Sequence, residues 1–155
     1  VATEQRIRSF AVLYDRLSRS RLSIAIPSRP WIEGLIEPWE RVLGAARLDL
    51  HVDPFLIPDE VALPLGLVLN ELVSNAVEHA ALPFGGTVSV SLTRTRWGLR
   101  ACVEDEGPGV QSEGTGRLGS SLVGLFVRRL KATLTRSGPP GARLCIDVPF
   151  EAPEA

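Results

Sequence analysis

The chain has 155 residues, 45% of them hydrophobic, and a net charge of −1. That is the size of one ordinary domain with enough apolar mass for a core. Near-neutral charge excludes a strong electrostatic pull towards nucleic acid or an acidic membrane surface, and the short, interrupted apolar runs predict no membrane span. No signal peptide is legible and methionine is absent. The chain therefore reads as a cytoplasmic piece of a longer protein that begins before Val1.

Residues 2–19 predict a helix, with Ile7, Phe10, Tyr14 and Leu17 on one face and arginines covering much of the rest. A lone helix cannot bury such a stripe, so a partner surface is expected. A connector follows, with a short strand at Ser23–Ile26. A second helix is expected from Pro30 to Gly44, kinked or split at Pro38, with Trp31 and Trp39 in the core. Residues 46–52 alternate as a strand that carries His51, expected to be structural or exposed rather than catalytic. Pro54 and Pro58 break the chain before the next helix.

Asp59 to Ala81 predicts one long helix with Asp59 as N-cap and Pro64 near the first turn. Leu65, Leu69, Leu72 and Ala76 form its buried stripe. Glu71, Asn75, Glu78 and His79, spaced i, i+4, i+7 and i+8, share another face. Residues 87–94 and 97–105 predict a hairpin through a tight Thr95–Arg96 connection. A glycine-dense stretch from Glu106 to Gly119 follows, in which residues 110–117 are expected to be mobile. A helix over 119–131 is expected to point Leu122, Leu125, Phe126 and Leu130 inward. Strands at 132–136 and 143–148 flank the turn SGPPGA, and EAPEA is a polar tail. Cys102 and Cys145 fall in strand-like segments without CxxC spacing and read as buried thiols rather than as a disulfide or metal ligands. The element order predicts a two-layer α/β (α+β) sandwich, with a mixed, mostly antiparallel sheet and helices on one face.

Three features supply the parts that a nucleotide needs. Asp105 ends a strand, and its carboxylate suits the exocyclic amine of adenine. Gly107 and Gly109 let the backbone turn sharply beside a flat base. The glycine-rich run into a helix N-terminus, Gly114 to Gly119, offers free N–H groups to phosphates. The side-chain carbonyl of Asn75 suits Mg²⁺, which prefers oxygen and keeps several waters. Glu71, one turn back, is placed to order or deprotonate a hydroxyl or water.

The segments NELVSNAVEHA (70–80), DEGPG (105–109) and RLGSSLV (117–123) resemble the N, G1 and G2 boxes of the ATPase fold shared by gyrase and histidine kinases. The style ELxxNAxxHA and the ending PPGARLCIDVPF are similar to the HWE/HisKA_2 branch of bacterial sensor histidine kinases. RIRSFAVLYDRL (6–17) resembles the second helix of that branch's phosphoacceptor hairpin. The resemblance implies a Bergerat ATP-binding fold at 21–151, a hairpin remnant at 1–20 and a tail at 152–155. It implies ATP and Mg²⁺ as cofactors, Glu71 as the base-like residue, Asn75 as metal ligand and Asp105 as adenine contact. His79 would stand at the pocket edge, with Arg117, Gly119, Ser120 and Ser121 by the phosphates. Glu78 stands where many relatives carry lysine, an acid expected to repel a triphosphate unless it points away. The implied partners are a response-regulator receiver domain and, through the hairpin, a second copy of the parent protein. The fragment itself is expected to be monomeric or weakly self-associating. Neither His51 nor His79 has a phosphoacceptor context, so the acceptor helix is expected upstream and autophosphorylation of this fragment alone is not. Two other readings are an anti-sigma-factor-type serine kinase on the same fold and a degenerate scaffold that docks a response regulator without ATP.

Overall fold

The computed structural model describes residues 25–44, 47–109, 122–138 and 140–151. The predicted helix over 2–19, the segment 110–121 and the tail lie outside the described residues. β1 (Ala25–Pro27) leads into α1 (Ser28–Leu43), then β2 (Leu48–Val52) and β3 (Leu56–Pro58). α2 (Asp59–Ala76) continues through a π-helical turn, Val77–Ala81, and a last turn, Leu82–Phe84. β4 (Val88–Arg94), β5 (Gly98–Asp105), α3 (Leu122–Arg129), β6 (Thr133–Ser137) and β7 (Ala142–Pro149) complete the order.

Five strands form one sheet in the order β2-β4-β5-β7-β6. β2 and β4 pair in parallel, and the other neighbours pair antiparallel. Alternation along the strands sorts the two faces. Val88, Val90 and Leu92 of β4, Leu99, Ala101 and Val103 of β5, and Leu144, Ile146 and Val148 of β7 join one hydrophobic core with the helices. The opposite face carries Ser91, Arg100, Cys102, Glu104, Arg143, Cys145 and Asp147, none of which belongs to that core. This is the expected two-layer sandwich, mixed and mostly antiparallel with its helices on one side.

α1 buries Trp31, Ile32, Leu35, Ile36, Trp39 and Leu43, and Gly44 ends it at φ +96°. The helix runs through Pro38 without splitting. Pro38 lacks an N–H, so the Gly34 carbonyl four residues back loses its in-helix donor. α2 buries Leu65, Leu69, Leu72 and Ala76 as the periodicity requires. Its N-cap is Pro58 rather than Asp59, with no side-chain cap; Asp59 and Glu60 lie inside the first turn, where their charge favours the positive dipole end. The whole helical stretch Asp59–Phe84 is long and apolar enough to cross a membrane, contrary to the expectation from run length. However, 72% of its apolar window is buried inside the protein, which makes it the central helix of the core.

Four further differences have local causes. β1 pairs with β3 in a separate two-stranded sheet. Proline-bounded segments hide that pairing in the sequence, because Pro27 and Pro58 sit at strand ends where no ladder donor is needed. Leu125 of α3 is exposed rather than inward, because Val123, Phe126 and Leu130 set the buried phase and Leu125 falls opposite. Trp97, at the tip of the β4–β5 hairpin, is 72% exposed with the Arg96 guanidinium 5.1 Å from its ring centroid. Cys102 and Cys145 are joined as a disulfide, not separate buried thiols, because antiparallel pairing of β5 with β7 sets them directly opposite one another.

Candidate functional site

The site is built where the end of β5 meets the end of α2. Glu71 and Asn75 are half-buried on α2, and His79 is exposed in the π turn. The π turn that contains Glu78 and His79 is closed by the Leu82 N–H donating to the Val77 carbonyl, and the Gly85 N–H bonds the Ala81 carbonyl at 2.9 Å beyond it. The Glu78 carboxylate accepts a hydrogen bond from the Ser74 hydroxyl at 2.7 Å. The Asn75 carboxamide makes no hydrogen bond among the described residues, and its side-chain oxygen is a donor atom of the hard type that Mg²⁺ takes. No group of three or more His, Cys, Asp or Glu side chains suited to a metal occurs among the described residues. Asn75 fits a cation that is held chiefly by phosphate oxygens and water, rather than by a protein cage.

Asp105 is the last residue of β5 and is partly buried. Its Oδ1 accepts the Gly107 N–H at 2.9 Å. Burial pushes the carboxyl above its ordinary value; the N–H groups of Gly107 and Ala142 pull it back in part, and the neighbouring Glu104 charge raises it again. Gly107 is required by packing, since a Cβ there would stand 2.7 Å from the Ala80 Cβ. This contact presses the DEGPG turn against the helix that carries Asn75. Gly109 has φ +97°, a conformation open chiefly to glycine. Arg117, Gly119, Ser120 and Ser121 lie outside the described residues. α3, which follows that segment, packs against α2.

Sequence reasoning missed three supports of this site. Asn70, next to Glu71, is 5% exposed and accepts a hydrogen bond from Trp39 Nε1 at 2.9 Å. This buried link from α1 fixes the rotation of α2 and so the direction of Glu71 and Asn75. Arg47 donates to the carbonyls of Ala81 at 2.7 Å and Gly86 at 2.9 Å, closing the negative end of the same helix. The Glu106 carboxylate accepts the Thr87 N–H at 2.7 Å and lies over Gly86, where any Cβ would collide with it. The Arg47 bonds span 34 and 39 residues, so no local spacing announces them. Only the DEGPG context marks Glu106.

Comparison with known proteins places the chain in a family. The family described as "Histidine kinase-like ATPase domain" matches residues 43–133. The chain is 33% identical over 115 residues to blue-light-activated histidine kinase 2 of Erythrobacter litoralis (strain HTCC2594), covering 69% of this chain and 33% of that protein. It is 28% identical over 130 residues to the nitrate/nitrite sensor protein NarX of Escherichia coli (strain K12), covering 83% of this chain and 21% of that one. The chain thus spans a third or less of the length of these curated relatives. Among solved structures, the blue-light-activated histidine kinase EL346 of Erythrobacter litoralis superposes with a TM-score of 0.76 at 27% identity, over 94% of this chain and 53% of that one. Its histidine kinase domain superposes at 0.79, with 24% identity over 96% of this chain and 75% of that one.

Proposed function

Because the chain belongs to the histidine kinase-like ATPase domain family, we propose that it is the ATP-binding catalytic part of a two-component sensor histidine kinase of the HWE-like branch. In this reading it delivers the γ-phosphoryl of Mg-ATP to a histidine, from which an aspartate of a response-regulator receiver domain takes it. The acceptor is neither His51, exposed on β2, nor His79, exposed in the π turn. It belongs to a helical hairpin whose second helix is residues 1–20, and two copies of the parent pair through that hairpin.

The observation that carries this reading is the junction of Asp105 and Gly107 with Ala80. It joins a base-selecting carboxylate to the helix that bears Asn75. Asp105 accepts the adenine amine, most strongly as the carboxylate. The Asn75 side-chain carbonyl would hold a Mg²⁺ ion, which when bound would supply charge neutralisation. Glu71 orders the attacking group or takes its proton. Most of the acceleration comes from positioning and charge neutralisation, as is general for phosphoryl transfer.

Titration calorimetry with Mg-ATP tests the proposal. The chain is expected to bind with submillimolar affinity, and Asn75→Ala to lose the Mg²⁺-dependent part of that affinity. An Asn75→Ala variant with unchanged Mg²⁺ dependence would remove Asn75 from the role. No heat with either ATP or ADP, at full chain and saturating Mg²⁺, would refute the ATP site.

A further inference from the structure

The open face of the sheet carries the chain's two cysteines opposite one another, Cys102 on β5 and Cys145 on β7. We propose that they form a thiol–disulfide exchange site which takes small-molecule disulfides and thiols and tunes the nucleotide site. The tuning half of the proposal rests on the ATP reading above.

Three observations support the exchange chemistry. Neither cysteine belongs to the hydrophobic core that the sheet shares with the described helices. Both cysteines are nearly buried, at 4% and 6%, beside the exposed side chains of Arg100, Glu104, Thr135 and Arg143. Side-chain motion alone therefore opens the sulfurs, without breaking the ladder. The Arg143 guanidinium stands 3.7 Å from Cys102 Sγ, and a cation beside sulfur favours the thiolate that carries out exchange. In addition, a domain that consumes ATP works in the reducing interior of cells, where disulfides that form are transient and redox-sensing rather than structural.

Oxidation balances without any group from the protein beyond the two thiols. The Cys102 thiolate attacks one sulfur of a small disulfide and expels one small thiolate, which takes up the proton that Cys102 released. The Cys145 thiol then loses its proton and attacks the Cys102 sulfur of the mixed disulfide, expelling the second small thiol. The protein gives up two electrons and two protons, and the oxidant gains both.

Coupling follows from the ladder. Three residues after Cys102, β5 ends at Asp105, whose register partner is Ala142 of β7. The Ala142 N–H lies close enough to lower the Asp105 carboxyl's proton affinity, and Gly141 packs on the Asp105 carbonyl, where an added Cβ would collide with it. The disulfide holds the two strands together next to this contact. Two free thiols need more room than two bonded sulfurs, so reduction relaxes β5 against β7 and loosens the hold on Asp105.

The test uses the full 155-residue chain equilibrated with excess oxidised or excess reduced glutathione. The disulfide is read by mass and free-thiol titration, and the affinity for Mg-ADP by calorimetry. Native protein is expected to interconvert fully, with the reduced form binding Mg-ADP more weakly by about fivefold or more, the low end of ordinary coupling between sites. The double variant Cys102→Ser, Cys145→Ser is expected to keep the weaker affinity in both buffers. Arg143→Gln is expected to slow oxidation without changing the final affinity of the oxidised form. A disulfide that never forms, or one that reduced glutathione never opens in folded protein, overturns the exchange site. Equal affinity in the two states overturns the coupling. Loss of nucleotide binding in both states, with interconversion intact by mass, refutes the ATP reading and the coupling that rests on it, and leaves the exchange site standing.

Discussion

Trp39→Phe isolates the bond that sets the rotation of α2. Trp39 is 1% exposed and Asn70 5%, and the indole N–H donates to the Asn70 carboxamide at 2.9 Å. Phenylalanine keeps most of the apolar surface but removes the donor. The stranded carboxamide oxygen costs about 1–3 kcal/mol. The space vacated by the smaller ring adds about 1 kcal/mol on the scale of core truncations. The expected loss is therefore about 2–4 kcal/mol, a large share of the roughly 5–15 kcal/mol that holds a domain together. Urea unfolding followed by far-ultraviolet circular dichroism measures it without relying on tryptophan emission. Asn70→Leu strands the other partner, and the double variant strands neither. The singles are then expected to exceed the double by at least about 1 kcal/mol of coupling. Additivity within about 0.3 kcal/mol would refute the claim that this bond, rather than general packing, holds the helix. In the same series, Trp39→Phe should weaken Mg-ATP binding even at temperatures where it is fully folded, because Glu71 and Asn75 lose their fixed direction.

Two further predictions concern the base pocket. The Asp105 carboxyl is raised by burial, so its protonated form favours the folded state below the ordinary carboxylate value. That stabilising increment is lost as pH rises through the raised value. Asp105→Asn does not titrate, and its profile of urea midpoint against pH is expected to lack this descending step; an unchanged profile would exclude Asp105 as its source. The ionised form is the stronger acceptor for the adenine amine, so nucleotide affinity in native protein should run the other way and fall as pH drops through the same range. Glu106→Ala is expected to release the Thr87 N–H and cost about 1 kcal/mol, and also to weaken the preference for ATP over GTP. Glu106→Gln keeps an acceptor and should restore both. A selectivity ratio identical in all three proteins would reduce Glu106 to a structural residue.

The layers of the fold were legible because burial writes itself into periodicity. The stripe Leu65, Leu69, Leu72 and Ala76 is fully inside, and the alternation of β4 and β5 sorts core from open face without error at Val88, Val90 and Leu92. Asp105, Gly107 and Asn75 stand out as candidates for a different reason: the chemistry proposed for them asks for particular residue types, and those types are visible in the sequence. What stayed hidden depends on distance along the chain. Trp39 reads as an ordinary core aromatic until Asn70 is seen beneath its N–H, and Arg47 reads as a surface cation until the carbonyls of Ala81 and Gly86 close on it. The cysteines gave no spacing signal because their 43-residue separation encodes nothing; the ladder register encodes everything. Leu125 shows the complementary failure, where a short helix has too few turns for hydrophobicity alone to fix its phase.

Glu78 brings these points together. An acid among the phosphate-facing residues of an ATP site should repel the ligand, and the simple i, i+7 spacing from Glu71 places it there. One contact changes that expectation. The Ser74 hydroxyl holds the Glu78 carboxylate one turn back along the helix, and Ser74 itself is fully buried, so the acid is drawn towards the protein. A polar group buried at that position would be costly without a partner, and Glu78 is a partner it has. In the proposed ATP reading, the carboxylate held by Ser74 is therefore not set against the phosphates. On this argument Ser74→Ala, which frees the carboxylate, should weaken Mg-ATP binding more than it weakens binding of uncharged adenosine. Glu78→Gln should leave native affinity nearly unchanged. If Glu78→Gln instead strengthens Mg-ATP binding as much as removing a facing negative charge would, the carboxylate points at the phosphates and the role assigned to Ser74 is wrong.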